Sequence, residues 1–184
     1  MIIGLCGKSC SGKTTLANDL IQVYGGNGIH IDIDKIGHQA LTVPEIKKEL
    51  INTFGDITTE GEIDRKKLGP IVFSSPNEME KLTNITWRYM EQEINRIMIE
   101  NKDKIIILDW QLLPKTKFFK ESNLTILLDV DYETRKKRAL ERDHISEEKF
   151  DLREQASMEY DKALFDFVLN EVNYERLKEM VMKI

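Results

Sequence analysis

The sequence predicts a three-layer α/β fold, in which helices cover both faces of a parallel five-stranded sheet and two helical insertions stand outside it. Three observations predict it. Short apolar runs at 1–6, 29–33, 105–108, 124–130 and 165–169 have the length of buried strands. Helical patterns separate most of them, and strands alternating with helices make a parallel sheet. Two longer stretches, 42–102 and 132–155, break the alternation; the first shows no convincing buried strand and looks helical, notably over 81–100, and the second is charged and helical.

The elements follow in chain order. Residues 1–6 form an apolar strand that stops at Gly7. Leu16, Ala17, Leu20, Ile21 and Tyr24 then recur at helical spacing, and Gly25-Gly26-Asn27-Gly28 ends that helix. The second strand is 29–33. No convincing buried strand follows until 105. Instead Leu82, Ile85, Tyr89, Met90, Ile94, Ile97 and Met98 form one stripe on a helix over 81–100. Beyond the third and fourth strands, 132–155 is charged and helical. The fifth strand leads to a helix over 173–184 with Leu177, Met180, Val181 and Ile184 on one face. No internal repeat or low-complexity tract is present.

Composition sets limits. A chain of 184 residues is enough for one domain with an added lobe, needing neither disulfide nor structural metal. The formal charge of −5 argues against a nucleic-acid partner, which would require a net basic face. Cys6 and Cys10 have no second Cys or His pair at zinc spacing and read as reduced thiols. No run is long enough to span a bilayer, and the N-terminus is too briefly apolar for a signal peptide, so no membrane association and a cytoplasmic location are expected. The oligomeric state has no signature in the sequence.

Gly7-Lys8-Ser9-Cys10-Ser11-Gly12-Lys13-Thr14 fits G-x-x-x-x-G-K-[ST] between a strand and an amphipathic helix. The glycines permit the backbone angles that turn successive N–H groups inward as an anion nest. The helix adds the positive end of its dipole. Lys13 brings a point charge to β- and γ-phosphates, and the Thr14 hydroxyl reaches Mg²⁺. The expected cofactors are therefore ATP and Mg²⁺, held by Gly7, Lys8, Ser9, Cys10, Ser11, Gly12, Lys13, Thr14 and Thr15. A GTPase would also need N-K-x-D; Asn101-Lys102-Asp103-Lys104 has its Asp one place early and precedes a strand, and reads as a solvated turn.

Asp32 and Asp34 lie where the second strand ends, and ligands of open α/β sheets bind outside the carboxyl ends of strands. A carboxylate there could take a proton from an attacking hydroxyl or hold a Mg²⁺-bound water. Asp34 could instead cap the following helix, and His38, four residues on, shares its side of that helix. Asp109 ends the third strand and could hold a Mg²⁺ water or support a loop on the acceptor side. Trp87 and Trp110 read as packing residues, and His144 as an exposed linker residue.

At this point the chain resembles the dephospho-coenzyme A kinases over nearly its whole length. The resemblance rests on the phosphate loop and the D-x-D-x-x-x-H string of Asp32, Asp34 and His38. It continues in Phe54-Gly55-Asp56-Ile57, Gly61-Glu62-Ile63-Asp64-Arg65, Leu68 and Ile71-Val72-Phe73. Arg138-Ala139-Leu140-Glu141-Arg142-Asp143, then Arg153 and Gln155, resemble the family's lid, and Phe165-Asp166-Phe167-Val168-Leu169-Asn170 its last strand. The resemblance implies transfer of the ATP γ-phosphate to the ribose 3′-hydroxyl of dephospho-coenzyme A, the last step of coenzyme A biosynthesis. It implies Asp32 as catalytic base beside Lys13 and Arg138, Asp34, His38 and Arg65 on the acceptor side, and Arg138 and Arg142 near the ATP phosphates or base.

Two places depart from the family pattern. Trp87-Arg88 stands where the family has His-Pro, and Gln111-Leu112-Leu113-Pro114-Lys115 where it has P-L-L-[FY]-E. Gln111 is thereby an acceptor-side candidate with an altered residue. A different nucleoside or nucleotide acceptor, or an ATP-binding protein without turnover, are the rival readings. Arg135, Lys136, Lys137, Arg138 and Arg142 cluster in one segment; Arg138 and Arg142 share a helix face, while Lys136 and Lys137 read as solvated. The expected organisation is a single domain over 1–184: a core of 1–41, 103–131 and 156–184, a substrate lobe of 42–102, and a mobile lid of 132–155.

Overall fold

A computed structural model describes residues 1–181. The chain enters as strand β1 (Ile2–Cys6), passes through a loop into helix α1 (Lys13–Val23) and returns as β2 (Gly28–Asp32). It then leaves the sheet for α2 (Ile33–Ala40), α3 (Pro44–Phe54), a hairpin of β3 (Thr58–Thr59) and β4 (Glu62–Ile63), α4 (Arg65–Val72) and α5 (Pro76–Glu100). The sheet resumes with β5 (Ile105–Asp109), α6 (Lys117–Glu121) and β6 (Leu124–Leu128). Helices α7 (Tyr132–Asp143) and α8 (Glu147–Gln155), strand β7 (Phe167–Leu169) and helix α9 (Tyr174–Val181) complete the described chain.

These elements form two compact units, Met1–Asp32 with Asn101–Ile184, and Ile33–Glu100. In the first, five strands lie in the order β2-β5-β1-β6-β7, and every neighbouring pair is parallel. Parallel strands covered on both faces should be apolar throughout. Accordingly all five residues of β6 are buried, and Ile3, Leu5, Ile107, Ile126 and Leu128 pack with Leu16, Ala17 and Leu20 of α1 and Leu177 of α9. Helix α1 ends where the glycines predict: Gly26 N–H donates to Ile21 O at 2.8 Å with Gly25 and Gly26 both at positive φ. Of the face expected for the last helix, Ile184 lies outside the described residues.

Two strand limits shift by a residue or two, for physical reasons. The last strand begins at Phe167 rather than 165 because the Asp166 carboxylate takes the ladder position: it accepts from Thr125 N–H at 2.7 Å and from Thr125 Oγ1 at 2.8 Å. Ile33 belongs to α2, since pairing of β2 with β5 ends at Asp32 opposite Asp109.

In the second unit, α2, α3 and α4 all pack on α5, whose buried line is Thr86, Met90 and Ile94 at four-residue spacing. Leu82, Ile85, Tyr89, Ile97 and Met98 of the predicted stripe are partly buried beside it. Gly37 faces Met90 so closely that a Cβ there would lie 3.4 Å from its Cε. The hairpin turns on Glu60 and Gly61, both at positive φ, and Asp64 caps α4 through Lys66 N–H at 2.8 Å. Among the described residues no helix is long and apolar enough to cross a membrane.

Candidate active site

The loop between β1 and α1 is shaped by what cannot be there. Gly7 is buried, and a Cβ on it would meet Leu128 O at 2.7 Å and Ser11 Oγ at 2.9 Å, so only glycine fits. Gly12 caps α1 with φ 104° and ψ 21°, in the left-handed region. No side chain caps that helix, and its first turn holds no acid. No side chain or acid of that turn therefore occupies the leading N–H groups at the dipole's positive end, a setting suited to an anion. Lys13 Nζ donates to Gly7 O at 2.9 Å and Lys8 O at 3.4 Å, so the ammonium lies folded over the loop's own carbonyls. Thr14 and Thr15 are exposed in the first turn, Ser9 is partly buried, and the buried Ser11 Oγ has no hydrogen-bond partner among the described residues.

Next to the loop runs the carboxyl edge of the sheet. Asp32 and Asp109 are register partners at the ends of β2 and β5. Asp109 is buried at 6% exposure, and its Oδ2 lies 3.0 Å from His30 Nε2. His30 is two residues before Asp32 and so shares its face of the strand. With β5 between β2 and β1, Asp32 is two strand spacings, about 10 Å, from the strand that feeds the loop. Burial pushes the Cys6 thiol up to about 12; the Lys13 charge opposes that rise and the Asp109 charge adds to it. Both cysteines are free and buried, and Cys6 is an inert packing group.

The charged segment packs directly on the loop. Phe150 of α8, Ala139 of α7 and Cys10 of the loop form a small buried cluster. Arg138 Nη1 donates to Ser11 O at 2.8 Å and Cys10 O at 3.4 Å. Arg142 pairs with Asp143 at 2.7 Å and approaches Cys10 Sγ at 3.8 Å. Lys137 is exposed beside Glu141, as the solvated reading expects, whereas Lys136 is partly buried, paired with Glu147 and over the Tyr132 ring. His144 ends α7 exposed with φ 51°.

The remaining sequence candidates are carried as follows. Gln111 lies just past β5, where its carbonyl accepts from Tyr160 Oη at 3.0 Å, and Trp110 is buried beside it. In the second unit, Asp34 and His38 are exposed on α2 one turn apart, and Arg65 opens α4. Trp87 is partly buried on α5.

Sequence reading missed three contributors, His30, Arg135 and Glu154. His30 carried a usable signal, its period-two relation to Asp32. Arg135, 3% exposed and bidentate to Glu154 at 2.7 and 2.9 Å, looked like one more surface cation. Its partner is nineteen residues away on another helix, beyond any helical spacing rule. Lys8 is one of the expected loop residues, and its side chain pairs with Glu154 at 2.9 Å and Glu159 at 2.5 Å.

Comparison with known proteins shows the family. The family model for dephospho-CoA kinase matches residues 1–176. The dephospho-CoA kinase of Aquifex aeolicus is 33% identical over 190 residues, covering 99% of this chain and 94% of its own. That of Clostridium tetani is 34% identical over 181 residues, covering 93% and 78%. The solved dephospho-CoA kinase of Campylobacter jejuni superposes with a TM-score of 0.55 at 25% identity, covering 99% and 94%. A Thermus thermophilus crystal structure gives 0.81 at 24% identity, covering 100% and 94%, and a shikimate kinase of Acinetobacter baumannii 0.51 at 13%, covering 99% and 90%; these two show the shared fold. An acid-free helix start behind a glycine cradle, with paired carboxylates along the same sheet edge, is thus found in a chain that belongs to the dephospho-CoA kinase family.

Proposed function

We propose that the protein transfers the γ-phosphate of ATP to the ribose 3′-hydroxyl of dephospho-coenzyme A. The observation that carries the reading is the uncapped start of α1 behind Gly7 and Gly12, with Lys13 over the loop and Asp32 and Asp109 at the same edge of the sheet. A triphosphate fits that start because no side chain caps it and its first turn holds no acid. Among the described residues no group of three or more His, Cys, Asp or Glu could hold a metal by itself. A Mg²⁺ here would take the Thr14 hydroxyl, a carboxylate of Asp32 or Asp109 through water, and phosphate oxygens; when bound it neutralises charge on those oxygens.

The chain's own residues supply the rest. Lys13 leaves the loop carbonyls for the β- and γ-phosphates. Arg138, already at the loop, meets charge developing on the transferred group, with Arg142 one turn along the same helix face. Asp32 takes the proton from the acceptor hydroxyl. Asp34, His38, Arg65 and Gln111 serve the acceptor. A cytoplasmic setting suits two unpaired thiols.

A coupled ADP-release assay tests the reading, with coenzyme A identified by mass as the product. Dephospho-coenzyme A should be the best acceptor among adenosine, AMP and other nucleosides. Preference for another acceptor would transfer the assignment to that compound and trace the change to Gln111 and Trp87-Arg88.

A further inference from the structure

Glu154, on the last turn of α8, joins three parts of the first unit. It accepts two hydrogen bonds from Arg135 of α7 and one from Lys8, the residue after the first glycine of the loop. Arg135 also donates through Nε to Val130 O at 2.9 Å, which fixes its guanidinium at the root of α7. One helical turn further along α7, Arg138 rests on the Ser11 carbonyl. Arg135 and Lys8 hold the Glu154 carboxyl below the usual carboxylate range, as expected of one acid shared by two cations. The Lys8 ammonium therefore faces the lid's carboxylate and not a phosphate.

We propose that Glu154 is a positioning residue for phosphoryl transfer: by clamping Lys8 and Arg135 together, it holds α7 on the phosphate loop, so that Arg138 is in place before nucleotide arrives. The proposal rests on the nucleotide-binding reading above. A guanidinium already in place needs no reorganisation as charge develops, which is where enzymes gain most from fixed cations. The clamp acts at the root of the segment. Its tip, at Asp143 and His144, is exposed and lies outside the clamp. The segment is thus secured at one end, and closure over a ligand would come from the tip.

The test compares Glu154→Gln, Lys8→Met and the double variant. Amide exchange of α7 in the nucleotide-free protein and steady-state kinetics are the readouts. Faster α7 exchange is expected in each variant, with kcat lowered by roughly tenfold to a hundredfold and the acceptor KM unchanged. The double variant should lose no more than the worse single one, because both break the same clamp. Glu154→Gln leaves Arg135 without a counter-charge and risks misfolding, so Lys8→Met, which leaves the Arg135–Glu154 pair intact, is the variant to rely on. If Lys8→Met weakens ATP binding while α7 protection stays normal, Lys8 serves the nucleotide directly and the proposal is overturned. Normal exchange with normal kcat overturns it too. The exchange arm needs no acceptor, so a wild-type protein inactive on dephospho-coenzyme A would refute the acceptor assignment and still leave the clamp tested.

Discussion

Lys13→Met should leave a folded protein whose phosphoryl transfer is slower by roughly 10³-fold or more, the scale set by losing a fixed cation from a charged transition state. Lys13 is the first residue of α1, beside a loop whose other lysine, Lys8, is engaged by Glu154 and Glu159. Lys8 therefore offers no substitute charge. Arg138 approaches from α7 and, in the proposed function, acts on the transferred group, so the two cations are not interchangeable. Nucleotide affinity should fall as well, because the lysine neutralises charge in the ground state also. The fold should survive, since the substitution removes two hydrogen bonds from a partly buried ammonium to loop carbonyls, about 1 kcal/mol each by general experience. Single-turnover kinetics, nucleotide titration and thermal unfolding measured on one preparation check all three. Near-normal turnover would remove the loop from the chemistry.

Asp32→Asn is expected to lower kcat by roughly 10²–10⁴-fold, the usual range for a positioned acid–base group. Asparagine keeps the shape and register of β2 opposite β5 but cannot accept the proton. ATP affinity separates the two roles open to this carboxylate. If it is unchanged, Asp32 acts as base. If Mg²⁺–ATP binding collapses together with turnover, Asp32 serves the metal and the base must be sought elsewhere, with Asp109 as the first alternative. Asp109 is the more buried of the two and already engages His30 through one oxygen. If neither quantity changes, the paired carboxylates are structural.

The sheet was legible because its strands are mostly apolar, with β1 stopping before Gly7 and β2 and β5 at the carboxylates Asp32 and Asp109, signals that depend only on neighbours in sequence. The phosphate loop was legible for the same reason: glycine is required at Gly7 by backbone approach and at Gly12 by backbone angle, and both demands write themselves into the residue type. What could not be read depends on pairing across the fold. The Asp166 carboxylate substitutes for a strand residue against Thr125, forty-one positions away, and moves the start of β7. The hairpin at Thr58–Thr59 and Glu62–Ile63 is too short and too exposed to leave an apolar trace. Arg135 and Arg138 look alike in a string of basic residues, yet one is a buried tie to Glu154 and the other reaches the loop. Only burial separates them, and burial is a property of the packed molecule.

The sheet order also bears on how the protein assembles. Strand β2, which carries Asp32, lies at the edge and bonds to β5 alone, and an entire second unit separates these two neighbours along the chain. Their pairing closes a long loop, an entropic cost that must be met before any contact rewards it. β1 reaches β5 and β6 across still longer stretches of chain, so loop closure does not set β2 apart; its edge position, with one neighbour in the sheet, does. The same strand should open at lower free energy than the middle of the sheet when denaturant is added. Inactivation would then precede unfolding: in a guanidinium titration, turnover should be lost at a lower concentration than the far-ultraviolet helix signal.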